Sequence, residues 1–237
     1  QRAFLFSGTI RTTLQHGRPG DGARLDPATA PLADSDIADA GAAREVLAAL
    51  ADVVDAATAA FEEFGHARAL EVTESFFWTF CDDYIELVKD RAHGGDPSAR
   101  AALRLALSVL LRLLAPVLPY ATEEVWSWWQ EGSVHRATWP EASELALSEA
   151  GDPQVLTAVG TALSQVRKAK SDAKVGMRSE ITAATLVGPS HLLELVRTAE
   201  DDLRATGRIT GELGYTDGDE VALRDVELIP FVKPATS

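Results

Sequence analysis

Between Gln165 and Arg178, five of the chain's 22 lysines and arginines fall within fourteen positions, with Asp172 the single acid among them. Arg167, Lys170, Lys174 and Arg178 follow one another at steps of three, four and four. On a helix that spacing lines cations along one face. Such a face can meet successive phosphates of a nucleic-acid backbone, each contact releasing a condensed counterion without reading a base. Lys168 stands beside the stripe, and Gly176 favours a helix end before Arg178 is reached. The polyanion-contacting candidates are therefore Arg167, Lys168, Lys170 and Lys174. Against this stands the plain reading that a charge run is a solvated helix face.

Other residue types offer less. Trp126, Trp128 and Trp129 could stack on unpaired bases, but 126 and 129 share one helical face and read as core, which leaves Trp128 pointing elsewhere. Asp82-Asp83 and Glu123-Glu124 are sequence neighbours. Helix neighbours diverge by about 100°, so neither pair makes a shared carboxylate site, and surface or capping roles are expected. The histidines at 16, 66, 93, 135 and 191 show no ligand spacing. Cys81 is the only cysteine, which excludes an internal disulfide and leaves a cysteine-based zinc site short of ligands. No nucleophile elbow, phosphate loop or dinucleotide fingerprint occurs, so no catalytic residue and no metal ligand is assigned.

The elements that must position these residues are mainly helical. Ala43, Leu47, Leu50, Val54, Ala57, Phe61 and Phe64 alternate steps of four and three, predicting a first helix that ends near Gly65. A second is predicted through Leu70, Thr73, Phe77, Phe80, Tyr84, Leu87 and Arg91, stopped by Gly94-Gly95. Asp96-Pro97 caps and opens a third with Leu103, Leu107, Leu110 and Leu114 inward, ended by Pro116 and Pro119. Thr122 is expected to cap a short fourth helix whose first turn carries Glu123 and Glu124. Asp152-Pro153 opens the fifth, lined by Val155, Val159, Leu163 and Val166, and Gly176 closes it. Strands are expected over 181–187, 208–213 and 221–228, with a helix over 190–205. The fold expected is mainly α: an antiparallel helical bundle followed by a small α+β module. The division is 1–42 as linker or divergent N-terminal segment, 43–150 as bundle, and 151–237 as basic helix plus α+β module.

The chain has 237 residues, 46% of them hydrophobic, and a formal charge of −14. That charge repels polyanions over most of the surface, so only a local basic patch can hold one. No apolar run reaches the ~18 to 20 residues of a membrane span, and no signal segment opens the chain. The expected setting is cytoplasmic, away from membranes and DNA. Position 1 is Gln, and the one methionine is Met177, so the chain is expected to be a piece of a longer product or a processed one.

The run Phe76-Phe77-Trp78-Thr79-Phe80-Cys81-Asp82-Asp83-Tyr84-Ile85-Glu86-Leu87-Val88-Lys89 resembles a helix of the anticodon-binding domain in the valine–tRNA ligase family. Leu114-Ala115-Pro116-Val117-Leu118-Pro119-Tyr120-Ala121-Thr122-Glu123-Glu124-Val125-Trp126 looks like a motif shared by the valyl, isoleucyl and leucyl enzymes. Ser133-Val134-His135-Arg136-Ala137-Thr138-Trp139-Pro140 and Val166-Arg167-Lys168-Ala169-Lys170-Ser171-Asp172-Ala173-Lys174-Val175 are similar to the segments that follow, in the same order. Together the anchors cover about residues 44 to 230, and the alanine-rich, lysine-poor style looks actinobacterial. The resemblance implies a bundle that docks the anticodon stem and loop of valine tRNA. It further implies a catalytic domain of the same enzyme that activates valine with ATP and magnesium. No cofactor is expected within these residues themselves, which lack the His-x-Gly-His signature and a credible catalytic lysine loop. The resemblance also gives weight to an RNA-contact role for Arg167, Lys168, Lys170 and Lys174. Two other functions fit the residues, a stand-alone tRNA-binding or regulatory paralogue and a helical protein-interaction module.

Overall fold

The computed structural model describes residues 42–147 and 151–231. The expected N-terminal linker lies outside them except for residue 42. Helix α1 (Ala43–Glu62) buries Leu47, Leu50, Val54 and Ala57 as its spacing requires. Its end departs from the periodic pattern: Phe61 is half-buried and Phe64 is 84% exposed.

The second expected helix forms as three pieces, α2 (His66–Thr79), a π-helical turn (Phe80–Tyr84) and α3 (Ile85–Gly94). The wide turn has a packing reason. Phe76, Phe80 and Tyr84 succeed one another at steps of four, which drift off one face of a 3.6-residue helix. Widening the helix there keeps them aligned. Their rings stack, with centroids 6.2 Å apart for Phe76–Phe80 and 5.5 Å for Phe80–Tyr84. Phe76 takes the buried place expected for Phe77, which is half-buried. Gly95, at φ 99°, ends α3 in the left-handed conformation that glycine adopts without strain.

Asp96 then caps α4 (Pro97–Leu114), its carboxylate accepting from the Ala99 amide at 2.7 Å with Pro97 at the first helical position. Helix α5 (Pro119–Ser127) starts earlier than expected. Pro119 supplies its first turn, so Thr122 lies inside the helix, and its hydroxyl donates to the Leu118 carbonyl at 2.9 Å instead of capping. Two short 3₁₀ turns follow, Val134–Arg136 and Ala142–Leu145. The second is fastened to α4 by a two-pronged pair between the Arg112 guanidinium and the Glu144 carboxylate, at 2.9 and 2.6 Å.

Helix α6 (Pro153–Asp172) is capped by Asp152 and buries Val155, Val159, Leu163 and Val166. The C-terminal sheet comprises β1 (Glu180–Gly188), β2 (Ile209–Asp217) and β3 (Ala222–Ile229), in the order β2-β1-β3. β1 runs parallel to β2 and antiparallel to β3. The parallel connection crosses through α7 (Ser190–Thr198) and α8 (Glu200–Gly207), where one helix is expected from sequence. The break is at Ala199, whose φ of −124° leaves the helical region. Ala199 itself and Leu203 beyond it remain buried.

Among the described residues one hydrophobic cluster runs from α1 to β2, taking in both the helical bundle and the α+β part. α6 packs on α1 and the π turn on one side and on α7, α8 and β3 on the other. A buried polar joint reinforces the seam. The Asp202 carboxylate of α8 pairs with Arg91 of α3 at 3.0 Å and accepts from the Ala42 amide at 3.1 Å. The Thr206 hydroxyl, also in α8, is shared between the carbonyls of Glu86 at 2.9 Å and Leu87 at 3.1 Å.

Candidate RNA-binding surface

The four cations singled out by spacing do not end as one stripe. α6 stops at Asp172, and the chain leaves it through a left-handed turn centred on Lys174, at φ 55°. The Val175 amide donates back to the Lys170 carbonyl at 3.1 Å and the Lys174 amide to the Ser171 carbonyl at 2.9 Å. Bonds of this kind close a helix C-terminus and normally have glycine at the turning position. Here the turning residue is lysine, and the glycine that sequence offers as the stop, Gly176, comes too late.

Lys170 is the main departure from expectation. Its side chain is 2% exposed, and its ammonium donates to the Met177 carbonyl at 3.0 Å and the Gly207 carbonyl at 2.7 Å. Burial, and then the nearby charge of Arg208, hold its pKa below that of an ordinary lysine. A cation so placed cannot reach a phosphate. The cause is geometric. Leu163, Val166 and Lys170 follow one another at steps of three and four, so position 170 continues the apolar stripe of α6 as well as the basic one. The aliphatic stem buries along that stripe, and the ammonium at its tip finds carbonyls where water would otherwise serve it.

Arg167 is partly exposed and turns toward the π segment, donating to the Asp82 carbonyl at 3.3 Å with the Asp83 carboxylate 3.9 Å away. Asp83 in turn lies against Gly160 of α6, where an added Cβ would stand 3.0 Å from its Oδ2. The Phe-rich motif thus meets the basic helix through the Asp82 carbonyl and the Asp83 carboxylate. Lys168 and Lys174 face solvent. Two more exposed cations that the four candidates leave out are Arg178 and Arg208. Arg178 lies past the helix end, and Arg208, at φ 50°, is the left-handed residue that ends α8. No sequence signal marks the latter: Gly207 reads as the helix stop, yet Arg208 is the residue that takes the left-handed conformation.

Trp126 and Trp129 are buried, their ring centroids 6.1 Å apart, while Trp128 is partly exposed and donates to Glu124 at 3.1 Å. Glu123 accepts from the Val134 amide at 3.0 Å and the Ser133 hydroxyl at 2.9 Å. The paired acids are therefore structural in this region. Two aromatic rings stand well out of the core beside α1 and on α2: Phe64, held at φ 61° where the chain leaves α1, and Trp78, 41% exposed. Among the described residues no group of three or more histidines, cysteines or carboxylates is arranged to hold a metal ion. None of their helices is long and apolar enough to cross a membrane.

A helical bundle carrying the Phe-rich helix, the Leu-Ala-Pro turn and a basic helix end defines a class of protein, and comparison with known families agrees. Residues 43–185 match the family described as anticodon-binding domain of tRNA ligase, and the chain belongs to it. The chain is 56% identical over 196 residues to the valine–tRNA ligase of Thermobifida fusca (strain YX), covering 80% of this chain and 22% of that protein. It is 51% identical over 189 residues to the valine–tRNA ligase of Leifsonia xyli subsp. xyli (strain CTCB07), covering 78% and 22%. Against that of Cutibacterium acnes (strain DSM 16379 / KPA171202) it is 45% identical over 185 residues, covering 75% and 21%. The chain therefore spans about a fifth of the length of the curated relatives it matches. The match to the anticodon-binding family reaches through α6 into β1.

Proposed function

We propose that this chain is the anticodon-binding and C-terminal portion of a valine–tRNA ligase, docking the anticodon stem and loop of valine tRNA. In this reading a separate catalytic domain of the same enzyme attaches valine to the tRNA in the cytoplasm, and ATP and magnesium act there. The observation that carries the proposal is the family match over residues 43–185, joined by relatives called valine–tRNA ligase. The surface supports it: in a chain of charge −14, exposed cations gather where α6 ends. Lys168 and Lys174 would contact backbone phosphates. Arg167 would do so from its place beside Asp83, and Lys170 acts from within the fold. Base reading is left to groups other than these cations, since phosphate contacts orient an RNA without specifying it.

The test is binding of this chain to valine tRNA and to the same tRNA with an altered anticodon, at two salt concentrations. Tighter binding of the unaltered tRNA, weakening as salt rises, is expected. Equal affinity for the two would reject anticodon selection, and no binding at either salt would favour an interaction module over an RNA-binding one.

A further inference from the structure

We infer that Lys174, Arg178 and Arg208 form a preorganised corner for consecutive RNA backbone phosphates, and that the buried Lys170 is the positioning residue that holds it together. The inference rests on the tRNA reading above and assigns a place and an architecture to the contact.

The corner is built from three chain segments that one lysine joins. The Lys170 ammonium binds the carbonyl of Met177, next to Arg178, and the carbonyl of Gly207, next to Arg208. The Lys170 carbonyl accepts from Val175, next to Lys174. Further bonds fix two of the segments from outside. The Arg208 carbonyl accepts from the Ile181 amide at 2.9 Å, tying it to the first residues of β1. The fully buried Ser179 accepts from the Phe231 amide at 3.0 Å, and the Arg178 guanidinium stands 5.8 Å from the centre of the Phe231 ring.

Two features separate this corner from an ordinary charged surface. First, several cations elsewhere are matched to acids: Arg68 with Glu71, Lys89 with Glu86, Arg112 with Glu144, Arg197 with Glu194, Arg204 with Glu200. Lys174, Arg178 and Arg208 are exposed and make no ion pair among the described residues, as is also true of Lys168, Arg136 and Arg224; what sets the three apart is that one buried lysine ties their backbone segments together. Second, Lys174 and Arg208 both occupy left-handed backbone positions, which disfavour side chains other than glycine, asparagine and aspartate. Backbone strain of this kind clusters where a side chain is needed at that point. The buried lysine also matters: Lys170 uses neutral carbonyls, so no carboxylate is brought in to compete with an incoming phosphate.

The test measures the affinity of the chain for valine tRNA across a salt series for the unaltered protein and three variants. The triple variant Lys174→Gln, Arg178→Gln, Arg208→Gln is expected to bind roughly tenfold or more weakly and to reduce the log–log salt slope by about two to three. Arg136→Gln, at an exposed cation on the 3₁₀ turn Val134–Arg136, is expected to leave the slope unchanged. Lys170→Met removes no exposed charge, yet is expected to lower both affinity and slope at temperatures where circular dichroism shows it folded. An unchanged slope in the folded triple variant, or an equal fall in Arg136→Gln, overturns the corner. An unchanged slope in folded Lys170→Met removes Lys170 from its positioning role. If the unaltered chain shows no salt-dependent binding at all, the tRNA reading itself fails, and the inference with it.

Discussion

Two of the places where the described residues bury charge do it in opposite ways. Where α3 and α8 meet the start of α1, acids are buried with incomplete compensation. Asp202 is 1% exposed and has Arg91 and one amide, while Glu45 is 5% exposed and its Oε2 has no hydrogen-bond partner among the described residues. The buried Tyr84 hydroxyl likewise has no hydrogen-bond partner among the described residues. At the end of α6 a single cation is buried, and backbone carbonyls satisfy it. The first arrangement joins two parts of the fold and leaves residual electrostatic tension. The second joins three segments and leaves the surrounding cations without an ion pair among the described residues. Carbonyls that satisfy one buried cation bring in no acid to compete with a ligand for its neighbours.

The largest effect should come from the seam. Asp202→Ala strands Arg91 and the Ala42 amide and is expected to lower stability by about 3 kcal/mol, as removal of one member of a buried ion pair does. Urea unfolding at pH 7 measures it, and a loss well under 1 kcal/mol would mean that the seam is held by apolar packing alone. Lys170→Met comes next, at about 2 kcal/mol for two charge-assisted bonds. If its loss exceeded that of Asp202→Ala, the ranking of the two assemblies would be reversed.

How far each place is legible in the sequence follows from this contrast. The apolar stripes of α1, α4 and α6 can be read because three- and four-residue steps report burial directly, and Asp96-Pro97 and Asp152-Pro153 announce helix starts by simple capping chemistry. The π turn is not readable as such, because Phe76, Phe80 and Tyr84 fit a helix pattern loosely and only their stacking shows which register wins. Spacing finds Lys170 and Lys174 but gives both the same role. Whether a lysine shared by an apolar and a basic stripe points out or in depends on carbonyls 7 and 37 residues away, at Met177 and Gly207. Arg208 escapes for the same reason: its neighbours come from another part of the chain. Asp202 belongs to no recognised pattern, and periodicity places its partner Arg91 on the inward face without a reason for a cation to be there.

Glu45 tests the seam from its other acid. Burial, the dominant effect, raises its pKa above the ordinary carboxylate value against the lowering effects of its own amide and of Arg44. An acid whose folded pKa is raised gives stability that is fully present below the unfolded value and is lost as pH rises through the folded one. At neutral pH the buried charge is therefore destabilising. Glu45→Gln is expected to raise stability at pH 7 by about 1 kcal/mol and to reduce the stability gained between pH 7 and pH 5. Asp202 titrates in the same direction, burial again leading, so the pH dependence is expected to shrink without vanishing. A variant less stable at pH 7 with an unaltered pH profile would show that Glu45 has a partner that offsets its burial.

The smallest effect concerns the α6 turn, and it separates strain from function. Lys174 sits at φ 55° on the surface, where glycine would adopt the same backbone without steric conflict. Lys174→Gly keeps the bonds from the Lys174 and Val175 amides that close the helix. It removes the left-handed strain, partly offset by the freedom glycine gains in the unfolded chain. Stability should rise by about 0.5 kcal/mol, while tRNA affinity falls and the salt slope drops by about one. Opposite signs for stability and binding are what a strained, ligand-facing lysine requires. If stability rose and binding did not change, the lysine would be an accident of the turn, and the corner would rest on Arg178 and Arg208 alone.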